Sequence, residues 1–588
     1  MNSMTLRVAM AACVALVIPS LAQGADHPER VFWGDTHLHT SYSPDAFLMR
    51  NNTADPDTAY RFAKGLPVIH PYHRARIQIH TPLDFLVVSD HAEFMGVVPK
   101  ILQGDPLVAD TETGRRYRQL FDEGRGVEAF GELIAQVNGV VPPDPNLYNV
   151  EINRDVWNDI MEAADRHNDP GTFTAFMGWE WSSTPGGANL HRVVIMREGK
   201  ETGERFIPYS SLDSAEPEDL WTWLDETTAA TGAHFIAIPH NSNISQGLMF
   251  PLQDSAGNVI SADYAETRMR WEPIVETTQI KGDSETHPRL SPNDEFADFE
   301  TYDHLIAVEG AEAQSAFGDG FLGQLSEADR ALIEANLERA AEVGDYVRPA
   351  LMRGLAVEAR IGVNPYKFGL IGSTDSHTAM SSAEEYNFHG KMAIDSTPES
   401  KKEFVVPGVK GWDMGAAGLV GVWARDMAER GYDKGVPMGG ELVGAEGDAP
   451  GFMVSALKDP VEANLDRIQI VKGWLDAQGV PHEKVFDVAL SDGRSVAADG
   501  SVPPVGNSVD LGTGKYMNDI GNPELSTLWT DPEFDATMPA FYYVRVLQIP
   551  TPRHTLYDAI ALGIDVKDTG HPATIQERVY SSPIWYTP

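Results

Sequence analysis

Imidazole and carboxylate groups recur in this 588-residue chain at short, regular spacings. His37-Leu38-His39 places two imidazoles two residues apart, which in extended backbone puts both on one face. Asp375-Ser376-His377 repeats that spacing with a carboxylate and an imidazole, and Asp90-His91 adds an adjacent pair. Glu180 and His240 each stand singly after an apolar run, and His191 opens the strand-like His191-Arg192-Val193-Val194-Ile195. Asp45 lies six residues beyond His39. The chain's one cysteine is Cys13, near the N-terminus, so disulfides and thiolate zinc sites are excluded from the body of the protein. A ligand set made only of nitrogen and oxygen suits Zn, Mn or Fe(II). A carboxylate such as Glu180 can bridge two cations, and ions about 3.5–4 Å apart can share a hydroxide nucleophile. That chemistry needs no serine or cysteine, and no G-x-S-x-G elbow with a suitable histidine stands out.

The elements that must position these groups are visible as apolar runs with abrupt polar ends. Val31–Trp33 leads into Gly34-Asp35-Thr36-His37. Leu83–Val88 leads into Ser89-Asp90-His91, and Phe173–Met177 into Gly178-Trp179-Glu180-Trp181. Phe235–Ile238 leads into Pro239-His240-Asn241, and Phe368–Ile371 into Gly372-Ser373-Thr374-Asp375. Each has strand length and is rich in β-branched or aromatic residues. Helical patterns at 216–228 and 326–340 lie between some of them, and alternating strands and helices predict a parallel sheet. In a (β/α) barrel the reacting groups gather at the carboxyl ends of the strands, where these residues stand. Segments 50–80, 100–170 and 250–365 read as long insertions walling the barrel mouth. Beyond about residue 425 the pattern changes to long strands such as 467–472 and 541–549, which predict an antiparallel module.

Composition narrows the role. Acidic residues number 86 and basic residues 45, a formal charge of 45 − 86 = −41, which repels phosphate backbones and disfavours nucleic acid as a partner. Arg7, the apolar run Val8–Leu21 and the small residues after it form the three-part pattern of a secretory signal peptide over residues 1–24. Export to a periplasmic or extracellular space is therefore expected. No later stretch reaches the roughly 18–20 apolar residues of a membrane span.

The motifs GDTHLHT, LVVSDHAE, MGWEW, IPHNSN and GSTDSH, in this order from residue 34 to 377, resemble the PHP superfamily, the polymerase and histidinol phosphatase type of metallohydrolase. YRFAKG at 60–65, NLHR at 189–192, Ile280-Lys281-Gly282, FYYVRVLQIPTPRHT at 541–555 and SSPIWYTP at 581–588 look more closely like a branch of large PHP-type proteins defined only as a domain of unknown function. The resemblance implies an α/β fold: a distorted (β/α)7 barrel with long insertions over residues 25–425 and a β-rich module over 426–588. It implies two or three divalent ions. One would be held by His37, His39, Glu180 and Asp375, a second by Glu180 and His240 with His191, and a third by Asp45, His91 and His377. Asp35 and Asp90 would orient imidazole N–H groups. Arg192 and Lys281 would hold an anionic substrate.

The expected activity is phosphoester hydrolysis of a small anionic substrate, by a hydroxide bridging the ions, with Asp45 or a third ion assisting the leaving group. Two alternatives are an amidohydrolase-type barrel cleaving C–N or lactone bonds, and a non-catalytic metal- or ligand-binding protein. The D-x-H pair at the last strand and the early Ser89-Asp90-His91 favour the phosphoesterase.

Overall fold

The structure is a computed structural model that describes residues 30–137, 139–302, 344–406, 409–424, 436–444 and 449–588. The expected leader and the expected helix at 326–340 lie outside the described residues. Among those described, no helix is long and apolar enough to cross a membrane.

The fold is mixed α/β. Strands β1 (Arg30–Leu38), β2 (Phe85–Val88), β3 (Thr174–Trp181), β4 (Arg192–Met196) and β5 (Phe235–Pro239) form one curved sheet. Strands β6 (Ile274–Gln279) and β7 (Gly369–Gly372) pair in parallel in a second sheet. Strand β8 (Val420–Ala424) covers the outer edge of β1, giving the order β8-β1-β2-β3-β4-β5.

The first sheet is not parallel throughout. Strands β1, β2 and β3 run parallel, but β3–β4 and β4–β5 are antiparallel. The link from β3 to β4, residues 182–191, is too short for the crossover that a parallel pair requires, so the chain folds straight back. Strand β6 falls inside what reads in the sequence as an insertion. Its buried polar residues Glu276, Thr277 and Gln279 interrupt the apolar pattern that marks a strand.

Alternation along β3 separates two jobs. Met177, Trp179 and Trp181 point outward into the largest apolar cluster. There Trp179 meets Trp157 edge-on at 5.7 Å, from the helix Val150–His167. Asn149 caps that helix by accepting the N–H groups of Glu151 and Ile152, worth about 1 kcal/mol. Gly178 and Glu180 face the other way. A Cβ on Gly178 would stand 2.6 Å from Val87 and 2.8 Å from the Val194 carbonyl, so only glycine lets the neighbouring strands approach.

The inward face carries Val87, Phe176, Val193, Ile195 and Ile238 from the first sheet with Ile274 and Ile371 from the second. This apolar layer joins the two sheets below the polar strand ends. At those ends the sheets are also stitched by backbone: Asp375 N–H donates to the His37 carbonyl (2.7 Å) and His39 N–H to the Ser376 carbonyl (2.9 Å).

The C-terminal strands β9 (Leu465–Leu475), β10 (Pro481–Leu490), β11 (Ala540–Gln548) and β12 (Ile584–Thr587) pair antiparallel in the order β12-β11-β9-β10. A buried square of charges ties this sheet to the segment after β6. Arg348 reaches Glu285 at 2.5 Å and Asp294 at 2.7 Å. Arg545 of β11 reaches the same two carboxylates at 3.1 and 2.7 Å.

Candidate metal centre

Strand ends deliver nine of the sequence-derived residues to one buried nest. Both oxygens of Glu180 are surrounded by imidazoles. Oε2 lies 2.9 Å from His39, 3.3 Å from His37 and 3.5 Å from His91, while Oε1 lies 2.5 Å from His191 and 3.4 Å from His240. Asp375 Oδ1 completes a cluster with His37 and His39 at 3.4 and 3.3 Å. His37 Nε2 and His39 Nε2 are 3.1 Å apart.

These separations test whether an ion fits. Two donors about 2.1 Å from one cation stand about 3.0 Å apart in octahedral and about 3.4 Å apart in tetrahedral geometry. The contacts of His37 and His39 with each other, with Glu180 and with Asp375 run from 2.9 to 3.4 Å, in the range of such edges, and His37, His39 and Asp375 form one group able to hold an ion. His37, Glu180 and His240 form a second group able to hold an ion, and His39, His91 and His377 a third. Asp45 joins the third group through His377 Nε2 at 2.8 Å and His91 Nε2 at 3.5 Å.

The ring nitrogens of His37 and His39 that face away from the cluster are fixed by other groups. His37 Nδ1 is 3.1 Å from Glu276 on β6. Ser43 Oγ donates to Asp90 (2.7 Å), so it accepts from His39 Nδ1 (2.8 Å) and leaves His39 Nε2 free to ligate. Asp90 thus orients His39 through Ser43. Asp35 does otherwise than expected and touches no imidazole. It accepts the backbone N–H groups of His37 and Thr374 and the Thr374 hydroxyl, holding the ends of β1 and β7 together. Burial pushes Asp35 up to about 7, although those hydrogen bonds oppose the shift.

Electrostatics in the nest follow from crowding. Burial alone would raise Glu180, but His91, His191 and His240 outweigh it and hold the carboxyl well below its usual range. Burial holds His37, His191, His240 and His377 below the usual imidazole range. His91 goes the other way: burial would lower it, but Glu180 and Asp45 raise it to about 10. Burial, then Asp375, Asp35 and Glu180, push Glu276 far up. Five carboxyl groups, Asp35, Asp90, Glu180, Glu276 and Asp375, are buried here, and Glu180 and Asp375, both held well below their usual range, supply negative charge that suits cations.

Lys281 Nζ lies 3.3 Å from Asp375 Oδ2, and Lys391 Nζ lies 2.6 Å from Oδ1. Burial would raise Asp375, but the two ammonium groups and His37 hold it well below its usual range. Its backbone is left-handed, φ 54°. The Asp375–His37 backbone bond and the His377 N–H donated to Lys391 O (2.8 Å) maintain that turn.

The expectation for Arg192 needs correction. Successive strand residues face opposite sides, so with His191 inside the nest Arg192 points outward. Its guanidinium is only 2% exposed and pairs with Glu272 at 2.9 Å while donating to the Leu190 carbonyl. It is a structural cation on the far side of β4. Lys391, Glu276 and Ser43 escaped the sequence reading, because single Lys, Glu and Ser residues carry no spacing signal.

The family described as "Protein of unknown function (DUF3604)" matches residues 26–428 and 424–588. The chain belongs to the DUF3604 family. No curated protein and no solved structure matches this DUF3604 chain. In this DUF3604 protein the nest draws on residues 37 to 391, all within the first matched stretch. The orienting role of Glu276 has a measurable consequence. Glu276→Gln should weaken metal affinity about 10–100-fold, read by competition with a chromophoric chelator, with the fold retained by circular dichroism.

Proposed function

We propose that this DUF3604 protein is a divalent-metal-dependent hydrolase of small phosphoesters, related to the PHP superfamily and built on a distorted barrel of that type. The single observation that carries the reading is the Glu180 carboxylate, whose two oxygens are shared among five imidazoles, an arrangement suited to a carboxylate bridging two ions. Divalent ions bound there would polarise a phosphoryl oxygen and make water acidic enough to serve as a nucleophile near neutral pH.

The chain's own groups do the rest. His37 and His39 are held with Nε2 facing inward by Glu276 and by the Ser43–Asp90 relay. Lys281, with a side chain 10% exposed, supplies positive charge for the anionic phosphoryl group. The Asp45 carboxylate is the most open of the nest, 27% exposed. His377 and His91 hold it ionised against the opposing effect of burial, so it can orient an incoming water by accepting its hydrogen bond. The apolar layer beneath shields the nest from bulk solvent on its lower side.

Elemental analysis coupled to a substrate panel tests this. Two or three equivalents of Zn, Mn or Fe, with turnover of aryl phosphates or phosphodiesters that a chelator removes, is the expected result. Hydrolysis confined to amides or lactones would replace the phosphoesterase with an amidohydrolase. No metal after reconstitution would replace the enzyme with a binding protein.

A further inference from the structure

A second group of histidines lies away from the nest. His70 and His73 flank the tip of a short hairpin whose strands are Val68–Ile69 and Arg76–Ile77. His389 comes from the loop that follows β7. One ring nitrogen from each of the three lies within 4.8 Å of the others. The His70 and His73 rings are stacked at 3.7 Å, and His389 sits 5.9 Å from His70. His70 is fully buried and His389 is 9% exposed, and the Nε2 atom of each is buried without a hydrogen-bond partner. Two inaccessible imidazole nitrogens with nothing to bond are costly to leave so. Burial holds both rings far below the usual imidazole range, His70 to about 2 and His389 to about 3, which leaves them neutral.

We propose that His70, His73 and His389 form a separate three-imidazole site for one late first-row divalent ion of the zinc class, clamping the hairpin to the loop that carries Lys391. Three neutral nitrogens without a carboxylate select against Mg, Ca and Mn and suit Zn, Ni, Cu or Co. Solvent reaches the site through the partly buried His73, leaving a fourth position for water or an anion. Binding through Nε2 requires the proton on Nδ1. His70 Nδ1 now accepts the Tyr72 N–H and His73 Nδ1 the Ala75 N–H, each at 3.2 Å. An ion bound through Nε2 would replace these two long contacts.

The clamp has a mechanical setting. The same loop already holds the chain after the hairpin: Glu384 accepts the backbone N–H groups of His80 and Thr81, and the Asn387 side chain donates to the Gln78 carbonyl. Lys391, two residues after His389, grips Asp375 in the nest. An ion at the three histidines would therefore stiffen a loop that ends on a residue of the nest.

The test uses the full chain loaded with zinc, freed of excess metal and counted by elemental analysis. Wild type should hold one equivalent more than His73→Ala or His389→Gln. Cobalt loading should give a four-coordinate visible spectrum whose difference from His73→Ala is one site's worth. Unchanged zinc in both variants, each folded by circular dichroism, overturns the proposal. Glu180→Gln makes the result independent of the main nest. Zinc that persists in Glu180→Gln and vanishes in Glu180→Gln/His73→Ala belongs to the three histidines, and equal zinc in those two proteins overturns the site.

Discussion

Glu180→Gln should keep the main nest from holding metal and lower the proposed phosphoesterase turnover by roughly 10^3-fold or more. The substitution keeps the side chain's size. What it removes is the negative charge between five imidazoles. An amide also presents an NH2 group toward at least one imidazole nitrogen that must act as a ligand. Any ion held at Glu180 would lose this anionic donor. Elemental analysis and steady-state assay of the same preparation check this directly, and full turnover with full metal content would remove the basis of the proposed chemistry.

Arg545→Met should destabilise the protein by about 3–5 kcal/mol without touching the nest. Glu285 and Asp294 are each paired with two guanidinium groups at a buried junction. Removing one cation leaves two buried carboxylates to share Arg348. The midpoint of urea unfolding followed by fluorescence is the measurement, and a loss under 1 kcal/mol would show that the square contributes little. The pH dependence has a definite sign. Burial raises both carboxyls, but Arg348 and Arg545 hold them below their ordinary values, Glu285 to about 2. A carboxyl lowered on folding stabilises above its unfolded pKa of about 4 and loses that contribution as pH falls through its folded value. Wild type should therefore lose stability from about pH 4 downward, and Arg545→Met should show a shallower acid dependence.

The nest was legible in the sequence because its donors sit at the ends of apolar runs. His37, His39, His91, Glu180, His240, Asp375 and His377 each follow such a run, and all of them converge. His191 was legible by its place at the head of β4. The same logic failed at Arg192, where a change of one position reverses the face. It also failed at β6, whose inward residues are polar because they serve the nest, so no apolar run announced the strand or Glu276. The antiparallel turn from β3 to β4 depends on the shortness of residues 182–191, which a count of strands and helices does not weigh. His70, His73 and His389 were not singled out in the sequence: His389 lies more than 300 residues beyond the other two, and only the folded chain unites them.

Asp35 and Thr374, 339 positions apart, lock the first and last strands of the nest. A nascent chain that had exposed only His37 and His39 would own two donors and grip an ion weakly. The remaining donors arrive in sequence, and Asp375 comes near the end. Occupancy by metal would thus be a late event in maturation, and the metal content of a preparation would double as a gauge of what fraction of its molecules have folded to completion.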